Sequence, residues 1–155
     1  MKHRITIVAA RGTVNQRNTV RLLQFLLDKA CGSRPEKGDV CLVVTDDAGI
    51  RKINKAHLGH DYPTDVITFT YDPLPVQPAE GQSGEIVVNL ELARRLRRWL
   101  GNADRELALY IAHGCDHFSG ENDHTPAARR RMRRRELRWL AEASRLHLLT
   151  GLLRV

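Results

Sequence analysis

Apolar spacing divides this chain into short segments that change period. Residues 4–10 (RITIVAA) alternate, with Ile5 and Ile7 against Thr6 and Val8, the pattern of a strand. Residues 18–32 switch to helical spacing, with Val20, Leu23, Leu26 and Leu27 on one side and Gly32 as the stop. Residues 39–47 open with a continuous apolar run, which reads as a buried strand. Residues 46–59 predict a helix with an acidic N-cap and a glycine end. Strands are expected at 65–71 and 85–90, separated by a proline- and glycine-rich loop at 72–84. Helices are expected at 90–101 and 104–119, the second capped by Asn102 or Asp104. A last helix starts near Thr125-Pro126, proline being favoured in a first turn, and runs to about Leu146. The sum is an α+β (mixed α/β) fold: one roughly four-stranded mixed sheet with about five helices. With no internal repeat and no linker, residues 1–155 are expected to form a single domain.

Charge narrows the partners. The net charge of +7 favours a polyanion, nucleic acid first. Residues 129–138 (RRRMRRRELR) hold seven arginines, too many for one stripe of a helix. Met132, Leu137, Trp139 and Leu140 are expected to form the buried side, and Arg138 to pair with Glu142. Arg129, Arg130, Arg133 and Arg134 are candidate RNA contacts, and Arg94, Arg97 and Arg98 form a second basic face. Tyr62 and Tyr71 are candidate stacking residues, whereas Phe118 reads as core. No apolar run approaches the length of a membrane span, and the N-terminal apolar stretch is too short for a signal peptide. Three cysteines without a C-x-x-C pair do not suggest a disulfide framework. The expected location is the cytoplasm, with no membrane partner.

One stretch concentrates chemistry: AHGCDHFSGENDHT, residues 112–125. His113 and His117 lie four apart, on one helix face and about one turn apart, so both imidazoles can reach one metal. Gly120 can turn the chain back and bring a third ligand, either Asp123 or His124. Three protein ligands leave a position open for water, as in catalytic zinc sites. One zinc ion per chain is the expected cofactor. A zinc protease would carry glutamate after the first histidine, but Gly114 stands there. Asp116 is a candidate catalytic carboxylate, and Glu106 reads as a solvated or capping-turn carboxylate.

Three stretches together resemble the YbeY endoribonucleases, or rRNA maturation factors. Residues 113–124 resemble the family signature H-G-x-L-H-L-x-G-Y-D-H. Residues 53–69 (INKAHLGHDYPTDVITF) resemble its L-N-x-x-x-R-x-x-D-x-P-T-D-V-L-S-F block, and residues 84–89 (GEIVVN) its G-D-I-x-I strand. The resemblance implies a zinc-dependent endoribonuclease of single-stranded RNA. It implies a role in 16S rRNA 3′-end maturation and ribosome quality control, with the small ribosomal subunit as partner. It also implies a central helix carrying the two histidines, and places Thr64 and Asp65 in the cleft beside the metal. Two departures stand out. Asp123 occupies the position of the family's third histidine, one before His124, and Leu58 occupies the position of an arginine. The Leu58 departure supports an alternative: a non-catalytic ribosome-assembly factor with a structural zinc and a basic RNA-docking face.

Overall fold

The computed structural model describes residues 3–32, 38–71, 81–100 and 102–154, with backbone alone at 98–100. In chain order the elements are β1 (Arg4–Val8), α1 (Gln16–Cys31), β2 (Asp39–Thr45), α2 (Asp47–Leu58), β3 (Val66–Tyr71), β4 (Ser83–Asn89), α3 (Leu90–Leu100), α4 (Ala103–Phe118) and α5 (Pro126–Arg145). The four strands form one sheet in the order β1-β2-β4-β3. Strands β1, β2 and β4 run parallel, and β3 is antiparallel to β4 at the edge. The fold is the expected α+β architecture with a mixed sheet.

Side-chain caps set the helix starts. Asn15 accepts from the Asn18 N–H, so α1 begins two residues before the expected 18. Asp46 accepts from the Gly49 N–H, so it serves α2 rather than extending β2 to 47. Asn102 accepts from the Asp104 and Arg105 N–H groups, and Thr125 from that of Ala128 just ahead of Pro126. Two strand limits also differ: β1 ends at Val8 rather than 10, and β4 begins at Ser83 rather than 85. Pairing explains the second difference, because Ser83 and Gly84 are in register with Tyr71 and Thr70. Of the expected loop at 72–84, residues 72–80 lie outside the described residues.

Helix α2 packs on one face of the sheet, where Ile50 joins Ile67 and Val87 in a small apolar cluster. The main core includes Leu22, Leu26, Leu42, Ile86, Leu107, Ile111 and Phe118. Helix α4 is central, packed against α1, α3, α5, β3 and β4. Its Gly114 faces the sheet, and a Cβ there would collide with the Ile86 methyl. The position after the first histidine is therefore closed to any side chain. That is the physical reason it holds no glutamate base.

Helix α5 departs from expectation in an instructive way. Its buried stripe is Ala128, Met132, Glu136, Trp139, Leu140 and Ala143. Leu137, expected inside, is 43% exposed, and Glu136 occupies the buried stripe at 0%. Spacing decides this, since 136 lies four after Met132 and 137 falls off the stripe. Glu142 pairs with Lys29 of α1 at 2.6 Å rather than with Arg138.

Candidate metal centre

The last turns of α4 carry His113 and His117, held against the core by Ile111, Ala112 and Cys115. The helix ends at Phe118, and Gly120 follows with φ of +108°. The Gly120 N–H reaches back to the His117 carbonyl at 2.9 Å, and the Glu121 N–H to that of Asp116 at 3.3 Å. This reversal brings Asp123 back over the helix. Its Oδ2 lies 3.7 Å from His113 Nε2 and 3.6 Å from His117 Nε2. The two imidazole Nε2 atoms stand 3.1 Å apart. All three donor atoms lie within 4.8 Å of one another, and the group could hold a metal ion.

Partners on the far side of each ring fix the tautomers. His117 Nδ1 donates to the Glu121 carbonyl at 3.0 Å, since a carbonyl can only accept. His113 Nδ1 donates to Glu136 Oε2 at 2.8 Å. With both rings neutral, as a metal would require, both Nε2 atoms therefore present lone pairs to each other and to the Asp123 carboxylate. Three such donors repel unless a cation lies among them, so the set fits a divalent ion. Burial works against charge on His113, but the hydrogen bond and charge of Glu136 outweigh it. With help from Asp65 and Asp123, they hold its pKa above the ordinary imidazole value.

Behind Glu136 the chain of contacts continues. Asp116 is 1% exposed and accepts from Arg135 twice at Oδ1, at 2.8 Å and 3.1 Å. Neither Asp116 Oδ2 nor Glu136 Oε1 has a donor partner in the surrounding structure. Burial first, then Glu136, push the Asp116 carboxyl up to about 7 against the pull of Arg135. Arg135 also lies 3.7 Å from the Glu121 carboxylate. Its guanidinium thus lies between the Asp116 and Glu121 carboxylates. The sequence reading missed Arg135 and Glu136. The available signal was a carboxylate on the apolar spacing of a helix otherwise poor in acids.

The structure sorts the remaining candidates. Asp116 faces inward, sealed from solvent and bonded to Arg135, so no substrate can touch it. Glu106 is also buried, at 6%, and lines a hollow with Thr64, Asp65, Tyr110 and His113, contrary to the solvated reading. Its place on the inner side of α4 is the cause. His124 is exposed and its N–H bonds to the Asn122 side chain; it is not among the converging donors. Thr64 donates to Asp65 Oδ1, which also accepts from the Val66 N–H. Both line hollows beside His113 without hydrogen-bonding to the three donors.

Arg129, Arg130 and Arg133 open onto one hollow with His113, Asp123 and Asp65. Arg129 also donates to the Asp123 carbonyl at 3.1 Å. Arg134 is exposed but lines neither hollow. Arg94 borders a separate hollow with Thr13, Thr45 and Glu91, which shares no residue with the donors. Arg97 is exposed, and the Arg98 side chain lies outside the described residues. On the other side of the donors, His117 borders a groove lined by Asn54, Leu58, His60, Tyr62 and Thr68.

Comparisons place this arrangement. A family model described as Endoribonuclease YbeY matches residues 5–144. The Rhodopirellula baltica protein named endoribonuclease YbeY is 39% identical over 119 residues, 75% of this chain and 59% of that protein. The chain thus aligns with about three fifths of that relative's length. The Elusimicrobium minutum protein of the same name is 40% identical over 99 residues, 63% of this chain and 68% of its own length. The solution structure of TM1509 from Thermotoga maritima superposes with a TM-score of 0.59 at 21% identity, covering 96% of this chain and 93% of that one, a likeness of fold. With the match running through both the histidine helix and the strands beneath it, the chain belongs to the Endoribonuclease YbeY family.

Proposed function

We propose that this protein is a zinc-dependent endoribonuclease acting on single-stranded RNA. The observation that carries this reading is the convergence of His113 Nε2, His117 Nε2 and Asp123 Oδ2, both rings fixed from behind. Tetrahedral zinc with bonds of about 2.0–2.1 Å sets its ligand atoms roughly 3.4 Å apart. The observed separations of 3.1, 3.6 and 3.7 Å bracket that spacing. The family membership supports RNA as substrate, and the arginine-lined hollow at the donors supports a polyanion.

Zinc held there would polarise a phosphoryl oxygen and make water acidic enough to attack near neutral pH. The chain's own residues do the rest. His113 and His117 keep their Nδ1 protons on Glu136 and the Glu121 carbonyl, so both Nε2 atoms stay available as donors. Arg130 and Arg133 offset phosphate charge beside them. We further assign the substrate to 16S rRNA, at 3′-end maturation and quality control on the small ribosomal subunit in the cytoplasm. The family resemblance supports that assignment. No described helix is long and apolar enough to cross a membrane.

The alternative, a non-catalytic assembly factor with structural zinc, rests on Leu58, which is 50% exposed in the groove beside His117 where the family block has arginine. Comparing His117→Ala with wild type separates the two. An enzyme loses cleavage of a single-stranded RNA while binding survives. An assembly factor shows no cleavage in the zinc-loaded wild type either.

A further inference from the structure

The groove on the His117 side differs in chemistry from the arginine hollow on the His113 side. It holds about 390 Å³, near the small end of ligand pockets at roughly 300–1,000 Å³, room for a small flat group rather than a duplex. Val66 and Ile67 contribute apolar surface, and Thr64 and Thr70 add hydroxyls. Two rings stand in its wall. His60 and Tyr62 lie parallel, 9° between planes and 5.3 Å between centroids, and Tyr62 is 54% exposed.

The loop carrying them is pinned. Gly59 takes φ of +73° to end α2. The buried Asn54 side chain donates to the Tyr62 carbonyl at 2.9 Å. Asp61, between them in sequence, pairs with Arg51 at 2.8 Å. The ring pair is thus ordered before any ligand arrives, which lowers the entropy cost of stacking a third ring on it. Across the donors, Arg129, Arg130 and Arg133 line the opposite hollow. Among the described residues only Arg135 of the α5 arginines pairs with a carboxylate.

We infer that the His60–Tyr62 groove is a nucleobase subsite. One unstacked base lies on the ring pair, and the strand crosses the metal donors so that a neighbouring phosphate enters the arginine hollow. A paired base cannot leave its helix without an unpairing cost, so this subsite selects unpaired RNA. Stacking reads any base, so it selects for flexibility rather than sequence. The inference rests on the reading of the site as an RNA-cleaving metal centre.

The test measures binding of zinc-loaded protein to a short end-labelled single-stranded RNA by fluorescence anisotropy. A set of the same RNA carries one abasic residue moved along the strand, and cleavage of each is followed in parallel. Tyr62→Ala is expected to weaken binding of intact RNA about tenfold. That penalty should vanish when the abasic residue sits beside the scissile phosphate, and Tyr62→Phe should restore wild-type binding. Leu146→Ala, at an exposed leucine outside the groove, should change nothing. Wild-type cleavage with a Tyr62→Ala penalty of zero, or with one indifferent to abasic position, overturns the subsite and leaves the nuclease reading standing. A wild-type protein that neither binds nor cleaves single-stranded RNA overturns both.

Discussion

Helix α5 has two faces of opposite chemistry within one sequence of arginines. The inner face buries Met132, Trp139, Leu140 and one carboxylate, Glu136, which bonds His113. The outer face exposes Arg129, Arg130, Arg133 and Arg134. Charge inside is held by a directional hydrogen bond; charge outside faces solvent, with Arg129 also reaching the Asp123 carbonyl. Loss of a buried partner leaves an unsatisfied group in low dielectric. Loss of an exposed arginine leaves only one fewer counter-charge. The same helix therefore supports the converging donors from its inner face and presents exposed positive charge from its outer one.

The sharpest way to break this contrast is Glu136→Leu. It removes the acceptor that fixes the His113 tautomer, so zinc affinity should fall about 10- to 100-fold. Competition against a chromophoric chelator measures it. The inner face next predicts that Arg135→Met costs about 2 kcal/mol of stability, because Asp116 loses its two donated hydrogen bonds. A denaturant titration of the metal-depleted protein reads this without the metal's own contribution. The outer face predicts the reverse profile. Arg130→Ala with Arg133→Ala should shift stability by less than about 0.5 kcal/mol. It should also lower the slope of log affinity for RNA against log salt by about one per arginine.

The smallest effect lies away from both faces, where ion pairing is exposed. Hydrogen bonds from Arg95 and then Asn89 hold the Asp47 carboxyl well below the usual carboxylate range. A folded-state pKa below the unfolded value means the unfolded chain binds more protons in acid. The contribution is full above the ordinary value of 3.8 and is lost as pH falls below it. Wild type and Asp47→Asn should therefore converge in stability as pH drops through that window. Denaturant midpoints compared across the acid range check this.

Most of the fold was legible because its elements obey local rules. The caps at Asn102 and Thr125 and the switch from alternating to helical spacing carry their own signals. The strand order was not legible, since β4 inserts between β2 and β3 and only long-range pairing decides that. In the site, the i, i+4 histidines and Gly120 indicated a third donor, and the fold brings the Asp123 carboxylate back to them. The supports behind the rings stayed hidden. Glu136 lies 23 residues from His113, and nothing local announces a contact between two packed helices. Asp116 illustrates the same gap: its proximity to the histidines in sequence suggested chemistry, whereas helix rotation turns it inward to Arg135. His60 and Tyr62 are separate in the sequence pattern, and their stacking appears only in the folded loop, which Asn54 ties down at the Tyr62 carbonyl.

Zinc content of the purified protein by elemental analysis, for wild type, Asp123→Ala and His124→Ala, decides whether the Asp123 carboxylate completes the site with the two imidazoles. One equivalent per chain is expected in wild type and in His124→Ala, with most of it lost in Asp123→Ala. Zinc retained without Asp123 and lost without His124 would contradict the geometry on which the rest stands.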